Sequence, residues 1–115
     1  MSKLLEVVKP SDIDARYDLT DTFGHSESET VARNIVIMFK RNCDQWSQFT
    51  WTDYKKTCPG ATIMDDLEAI DSLWRDGYLK KNGRRYAVTD DFIAALTHYM
   101  KKKCAKKVRK LLSEL

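Results

Sequence analysis

Apolar residues recur at helical spacing in several stretches of the chain and at alternating spacing in one. Val31, Ile35, Met38 and Phe39 stand three and four apart, with Arg33, Asn34, Lys40 and Arg41 largely elsewhere, so a helix with one core face is predicted from Ser26 to about Asp44. Ser26 and Glu29 form a capping-box pair at its start, and Val36 and Ile37 widen the apolar surface beyond a single stripe. Trp46 to Trp51 is too brief for a helix between two others and predicts a small edge strand. A short helix over Asp53 to Thr57 follows, capped by Thr52 and ended by Pro59-Gly60. Ile63, Met64, Leu67, Ile70, Leu73 and Trp74 then mark the core face of a third helix, capped by Thr62 with Asp65 at its third position and stopped at Gly77. A fourth helix starts at Thr89 or Asp90 and carries Phe92, Ile93, Leu96, Tyr99 and Met100. The apolar series continues through Cys104, Val108, Leu111, Leu112 and Leu115, and the five-residue step from 99 to 104 marks a break, a bend or a stutter.

The alternating stretch is residues 77–92. Asn82-Gly83 between short alternating segments predicts a β-hairpin closed by a type I′ turn, because both central positions of that turn need positive φ. With Lys81 and Arg84 flanking the turn, Lys80 pairs with Arg85, Leu79 with Tyr86 and Tyr78 with Ala87. Leu79, Tyr86 and Val88 then share an apolar face, and Lys80 and Arg85 point the other way with Tyr78. A two-stranded hairpin is marginal alone, so its apolar face must lie on helices.

These elements divide the chain into an N-terminal arm over residues 1–25, a domain over residues 26–100 and a basic amphipathic C-terminal helix or tail over residues 101–115. Lys9-Pro10-Ser11-Asp12 reads as a turn leading into a short helical segment through Arg16-Tyr17, with Phe23 the anchor of the arm. Cys43, Cys58 and Cys104 make no disulfide framework, and with no apolar leader the expectation is a reduced, cytoplasmic protein. The longest apolar run, Ile35 to Phe39, falls far short of the roughly 18 residues that a membrane span needs, so no membrane association is expected.

Helix, short strand, helix, helix, hairpin, helix is an order that resembles winged-helix domains, the helix-turn-helix branch in which a hairpin wing follows the recognition helix. The residues carrying the resemblance are Leu67, Ile70, Leu73, Gly77-Tyr78-Leu79 and Tyr86-Ala87-Val88-Thr89-Asp90, within a span of about residues 28 to 100. The fold class expected is therefore mainly α with a small β-hairpin. The resemblance implies that Asp53 to Thr57 is the supporting helix, Thr62 to Asp76 the recognition helix and Lys80 to Arg85 the wing. It also implies a double-stranded DNA partner and a role as transcriptional regulator or accessory factor; the arm and the C-terminal helix, as elements outside that span, are expected to join a homodimer. Phosphates would be clamped by Lys55, Lys56, Lys80, Lys81, Arg84 and Arg85, with base reading limited to Thr62 and its neighbours.

Charge changes this picture in two places. The net +3 belongs to residues 101–115, which carry seven basic side chains and one acidic one, and which either bind phosphate or form a solvated helix face. The recognition helix bears Asp65, Asp66, Glu68, Asp71 and Asp76 with Arg75 its only cation, which opposes a polyanion. The alternative is a winged-helix protein-protein interaction module whose acidic third helix meets a basic partner. Trp46, Phe49 and Trp51 read as core or a dimer seam, or else as a stacking platform for single strands. His25 and His98 have no cysteine at metal spacing, and no phosphate loop, H-E-x-x-H or G-x-S-x-G motif occurs, so no enzyme, cofactor or metal is expected.

Overall fold

The computed structural model describes residues 3–14, 23 and 26–114, without the side chains of Lys3, Ser26 and His98. The Ser26 cap, the segment through Arg16-Tyr17 and His25 fall outside this description. Helix α2, Ser26–Arg41, is the spine of the fold. Val31, Ala32, Ile35, Val36 and Phe39 are all buried, so the widening by Val36 corresponds to cover on more than one side. The helices α3, Trp51–Thr57, and α4, Glu68–Arg75, and the turn Pro10–Asp12 all pack on it. It ends at Arg41 rather than near Asp44, because Cys43 and Asp44 both take positive φ, at 61° and 52°, and reverse the chain. Asp44 then accepts the Ser11 amide at 2.8 Å and the Ser11 hydroxyl at 2.6 Å, which holds its carboxyl below the usual carboxylate range.

Strand β1 is Phe49–Thr50, and α3 starts at once, capped by Thr50 rather than Thr52. Thr50 accepts from the Asp53 amide at 3.2 Å while Asp53 accepts from the Thr50 amide at 2.9 Å, a complete capping box. Before α4 the chain makes a π turn, Ile63–Leu67, with Thr62 at its N-cap as expected. This turn changes the core face: Ala69, Ile70 and Leu73 are buried, whereas Ile63 is 64% exposed and Met64 78%. A wider turn shifts the helical phase, so residues before it leave the stripe that follows. Trp74 lies at the edge of that stripe and stays 41% exposed. At the other end Gly77, φ 86°, closes a Schellman motif, with the Gly77 amide on the Trp74 carbonyl and the Tyr78 amide on that of Leu73.

The hairpin consists of β2, Leu79–Asn82, and β3, Arg85–Val88, and the antiparallel sheet has the order β1-β3-β2. Its register differs from expectation by two residues: Leu79 pairs with Val88, Lys80 with Ala87, Lys81 with Tyr86 and Asn82 with Arg85. The loop is therefore Gly83-Arg84, with positive φ at Gly83 alone, the pattern of a type II′ turn. A shift of two preserves the alternation, so Leu79, Tyr86 and Val88 remain the buried face.

The last apolar series breaks earlier than its step from 99 to 104, and Leu96, Tyr99 and Met100 do not continue the fourth helix. Helix α5, Asp90–Ala95, capped by Thr89, gives way to a tight turn over Thr97–Tyr99, and Met100 bridges to Ile13 before α6, Lys102–Ser113, begins. Helix α1, Lys3–Val7, packs on α5 and α6, and Trp46 donates its indole N–H to the Val8 carbonyl at 2.6 Å. Leu4, Val8, Ile13, Ala105 and Val108 thus join one core with Ile35, Phe49 and Phe92. The radius of gyration, 13.3 Å, matches the about 13 Å of a compact chain this long, as both ends fold back onto the body. No helix among the described residues is long and apolar enough to cross a membrane.

Candidate nucleic-acid interface

Alternation along β2 places Lys80 and Asn82 on the solvent face and Leu79 and Lys81 on the inner one. Lys80, Arg84 and Arg85 are exposed, Arg84 within the turn and Lys80 and Arg85 on the outer face of the strands. Arg85 also pairs across the sheet with Thr50, and its guanidinium donates to the Gln48 side chain at 3.4 Å. Lys55 and Lys56 are exposed on α3, where they sit in the last turn and complement the negative end of the helix dipole.

Lys81 has different surroundings. Its ammonium lies 3.9 Å from Asp71, 5.0 Å from the centre of the Trp74 ring and 5.4 Å from that of Tyr86. Tyr86 donates its hydroxyl to Asp71 at 2.9 Å, and burial together with this bond pushes the phenol up to about 12. Lys81, itself exposed, thus leans from the hairpin onto α4. Alternation from Leu79 already marked its face, but nothing in the sequence pointed to Asp71 and Trp74 as its neighbours.

Thr62 is exposed, yet its hydroxyl is occupied in capping: it accepts the Asp65 amide at 3.2 Å and lies 3.3 Å from the Asp65 carboxylate. The carboxylates of the π turn and α4 fall into two groups. Asp66 accepts the hydroxyl of Tyr54 at 2.8 Å and the Thr62 amide at 3.3 Å, while Asn34 donates to the same Tyr54 oxygen at 3.0 Å. Tyr54 is fully buried, and burial drives its phenol far above the normal range. Asp66 and Asp71 therefore serve the scaffold, whereas Asp65, Glu68 and Asp76 are exposed.

Of the aromatic hexapeptide, Phe49 belongs to the core and Trp46 and Trp51 are partly buried against it. Phe49 is buried and stacks on Tyr86 at 5.6 Å, Trp46 meets Phe39 and Phe92 edge-on, and Trp51 stacks on Tyr54 at 5.7 Å. Tyr78 lies on the N-terminal arm: it is half-buried with its ring edge-on to Phe23 at 4.9 Å, and Phe23, the expected anchor of the arm, is itself buried against Phe92. Among the described residues no group of three or more histidine, cysteine or carboxylate side chains could hold a metal. Searches against protein-family models, curated proteins and solved structures gave no match to this chain.

Proposed function

We propose that the chain is a winged-helix domain that binds double-stranded DNA through its hairpin, as a regulator or accessory factor. The observation carrying this reading is the outer face of the hairpin, where Lys80, Arg84 and Arg85 are exposed beside β1, with Lys55 and Lys56 exposed on the helix that follows β1. The order helix, strand, helix, helix, hairpin and the sheet order β1-β3-β2 support the fold assignment. Asp66 and Asp71 are tied by hydrogen bonds to Tyr54 and Tyr86, and Asp71 also faces the Lys81 ammonium at 3.9 Å, although both carboxylates stay partly exposed and keep their charge. Contacts of this kind neutralise phosphates and read little sequence. Titrating fluorescent duplex DNA at several salt concentrations gives a linear fall of log affinity with log salt, and Arg84→Ala with Arg85→Ala lowers the slope by about 1.8. An unchanged slope excludes the hairpin, and no binding at low salt refutes the reading.

One observation favours a second reading, a protein-interaction module. Ile63 and Met64 are 64% and 78% exposed, and Met64 lines a groove with Glu27, Asp65, Glu68, Ser72 and Arg75 between the start of α2 and the outer face of α4. An apolar tip rimmed by acids suits a basic amphipathic helix. Retention of a lysine-rich helical peptide, weakened in Met64→Ser, which removes the apolar tip without altering the charge of the rim, distinguishes this mode from duplex binding.

A further inference from the structure

The basic helix α6 is fixed on the body in a way that decides which of its faces can meet a partner. Ala105 and Val108 are 5% and 0% exposed, with Cys104 and Leu111 partly buried beside them, and α1 and the Thr97–Tyr99 turn pack against this side. Lys102, Lys103, Lys106, Lys107, Arg109 and Lys110 are all exposed and cover the opposite side. Helix α6 contains no acidic residue, and Asp12 lies against Cys104 on the packed side. Cations three and four apart repel each other, and Lys102 and Lys103 sit in the first turn, at the positive end of the helix dipole. The array thus carries an electrostatic penalty that a bound polyanion relieves.

The distribution of charge over the whole chain gives this helix its weight. Residues 1–100 carry 13 basic and 16 acidic side chains, a net of −3, so the hairpin cations stand on an acidic body. Residues 101–115 carry a net +6 and reverse the sign of the molecule. Long-range attraction of a polyanion therefore comes from α6. We propose that the exposed face of α6 is a nucleic-acid phosphate-binding surface and the principal electrostatic anchor of the protein. Lys102 to Lys110 spans about 12 Å of helix axis, a length over which duplex DNA presents about seven charges. An anionic membrane would instead need the apolar face of the helix free to enter the interface; here Ala105 and Val108 are in the core, Cys104 and Leu111 pack against it, and Leu112 alone of that face is exposed among the described residues, at 38%. The inference rests on the duplex-binding reading for its ligand but not on the hairpin for its contacts.

The test uses the full chain and a duplex titrated between 50 and 200 mM salt, with Lys103→Gln, Lys106→Gln and Lys110→Gln combined. The salt slope falls by about 2.7, so the variant loses about 40-fold less affinity over that range than the parent. Its helical circular dichroism stays unchanged, and Lys→Arg at the same three positions restores the parent slope. A parental slope in the glutamine variant overturns the proposal. The Arg84→Ala, Arg85→Ala variant separates the two surfaces: parental binding there with loss in the α6 variant removes the hairpin and retains the helix. Vesicles rich in phosphatidylserine, offered alongside, are bound more weakly than duplex; tighter binding to vesicles overturns the assignment to nucleic acid.

Discussion

Tyr54→Phe removes one oxygen from a fully buried side chain and leaves its ring, its stacking on Trp51 and its volume nearly intact. Two hydrogen bonds disappear with it: the donation to Asp66 at 2.8 Å and the acceptance from Asn34 at 3.0 Å. A bond to a charged acceptor contributes about 1.5–3 kcal/mol and a neutral one about 0.5–1.5. Asp66 is partly exposed and keeps the Thr62 amide, so water replaces part of the first bond. The expected net loss is about 2 kcal/mol, below the simple sum because both partners regain some hydration. Urea denaturation measures it as a lower midpoint with an unchanged m-value. The bond joins α3 to the π turn before α4, so Asp66→Asn in the Tyr54→Phe background adds much less than it does in the parent. Destabilisation below about 0.5 kcal/mol, or full additivity of the two substitutions, would refute the coupling. Duplex affinity in Tyr54→Phe stays at the parental value, since the network points inward.

Two further substitutions probe the backbone reversal and the hairpin anchor. Cys43→Gly relieves a left-handed conformation at φ 61° in an exposed residue and raises stability by about 0.5–1 kcal/mol, seen as an upward shift in melting temperature; a lower melting temperature would show that the thiol has a packing role. The folded state holds the Tyr86 proton more tightly than the unfolded state, whose phenol titrates near 10, so this contribution is complete below pH 10 and is lost as pH rises through about 12. Stability of the parent therefore falls more steeply than that of Tyr86→Phe over this interval, and parallel curves would exclude the group.

Local chemistry determined much of this protein. The Thr62 cap, the Gly77 stop and the hairpin follow from groups a few residues apart, whose hydrogen bonding and steric limits act wherever the chain goes. The inner face of the hairpin was legible for the same reason, because alternation survives a shift of two. The turn itself was not: Asn82-Gly83 favours type I′, and pairing of Phe49 with Tyr86 and packing of Leu79 and Val88 accompany the Gly83-Arg84 loop instead. Tertiary structure likewise decided which charges are free. Composition gives Lys81 and Arg84 the same weight, yet Lys81 is held over Trp74 beside Asp71 while Arg84 is exposed at the tip. Asp65 and Asp66 are neighbours in sequence, but a buried phenol from α3 claims only the second. The apolar pattern predicted Ile63 and Met64 as core, and a single π turn moved both to the surface. Sequence sets what each residue prefers locally; burial and the one partner within reach decide which charges and apolar side chains remain for another molecule.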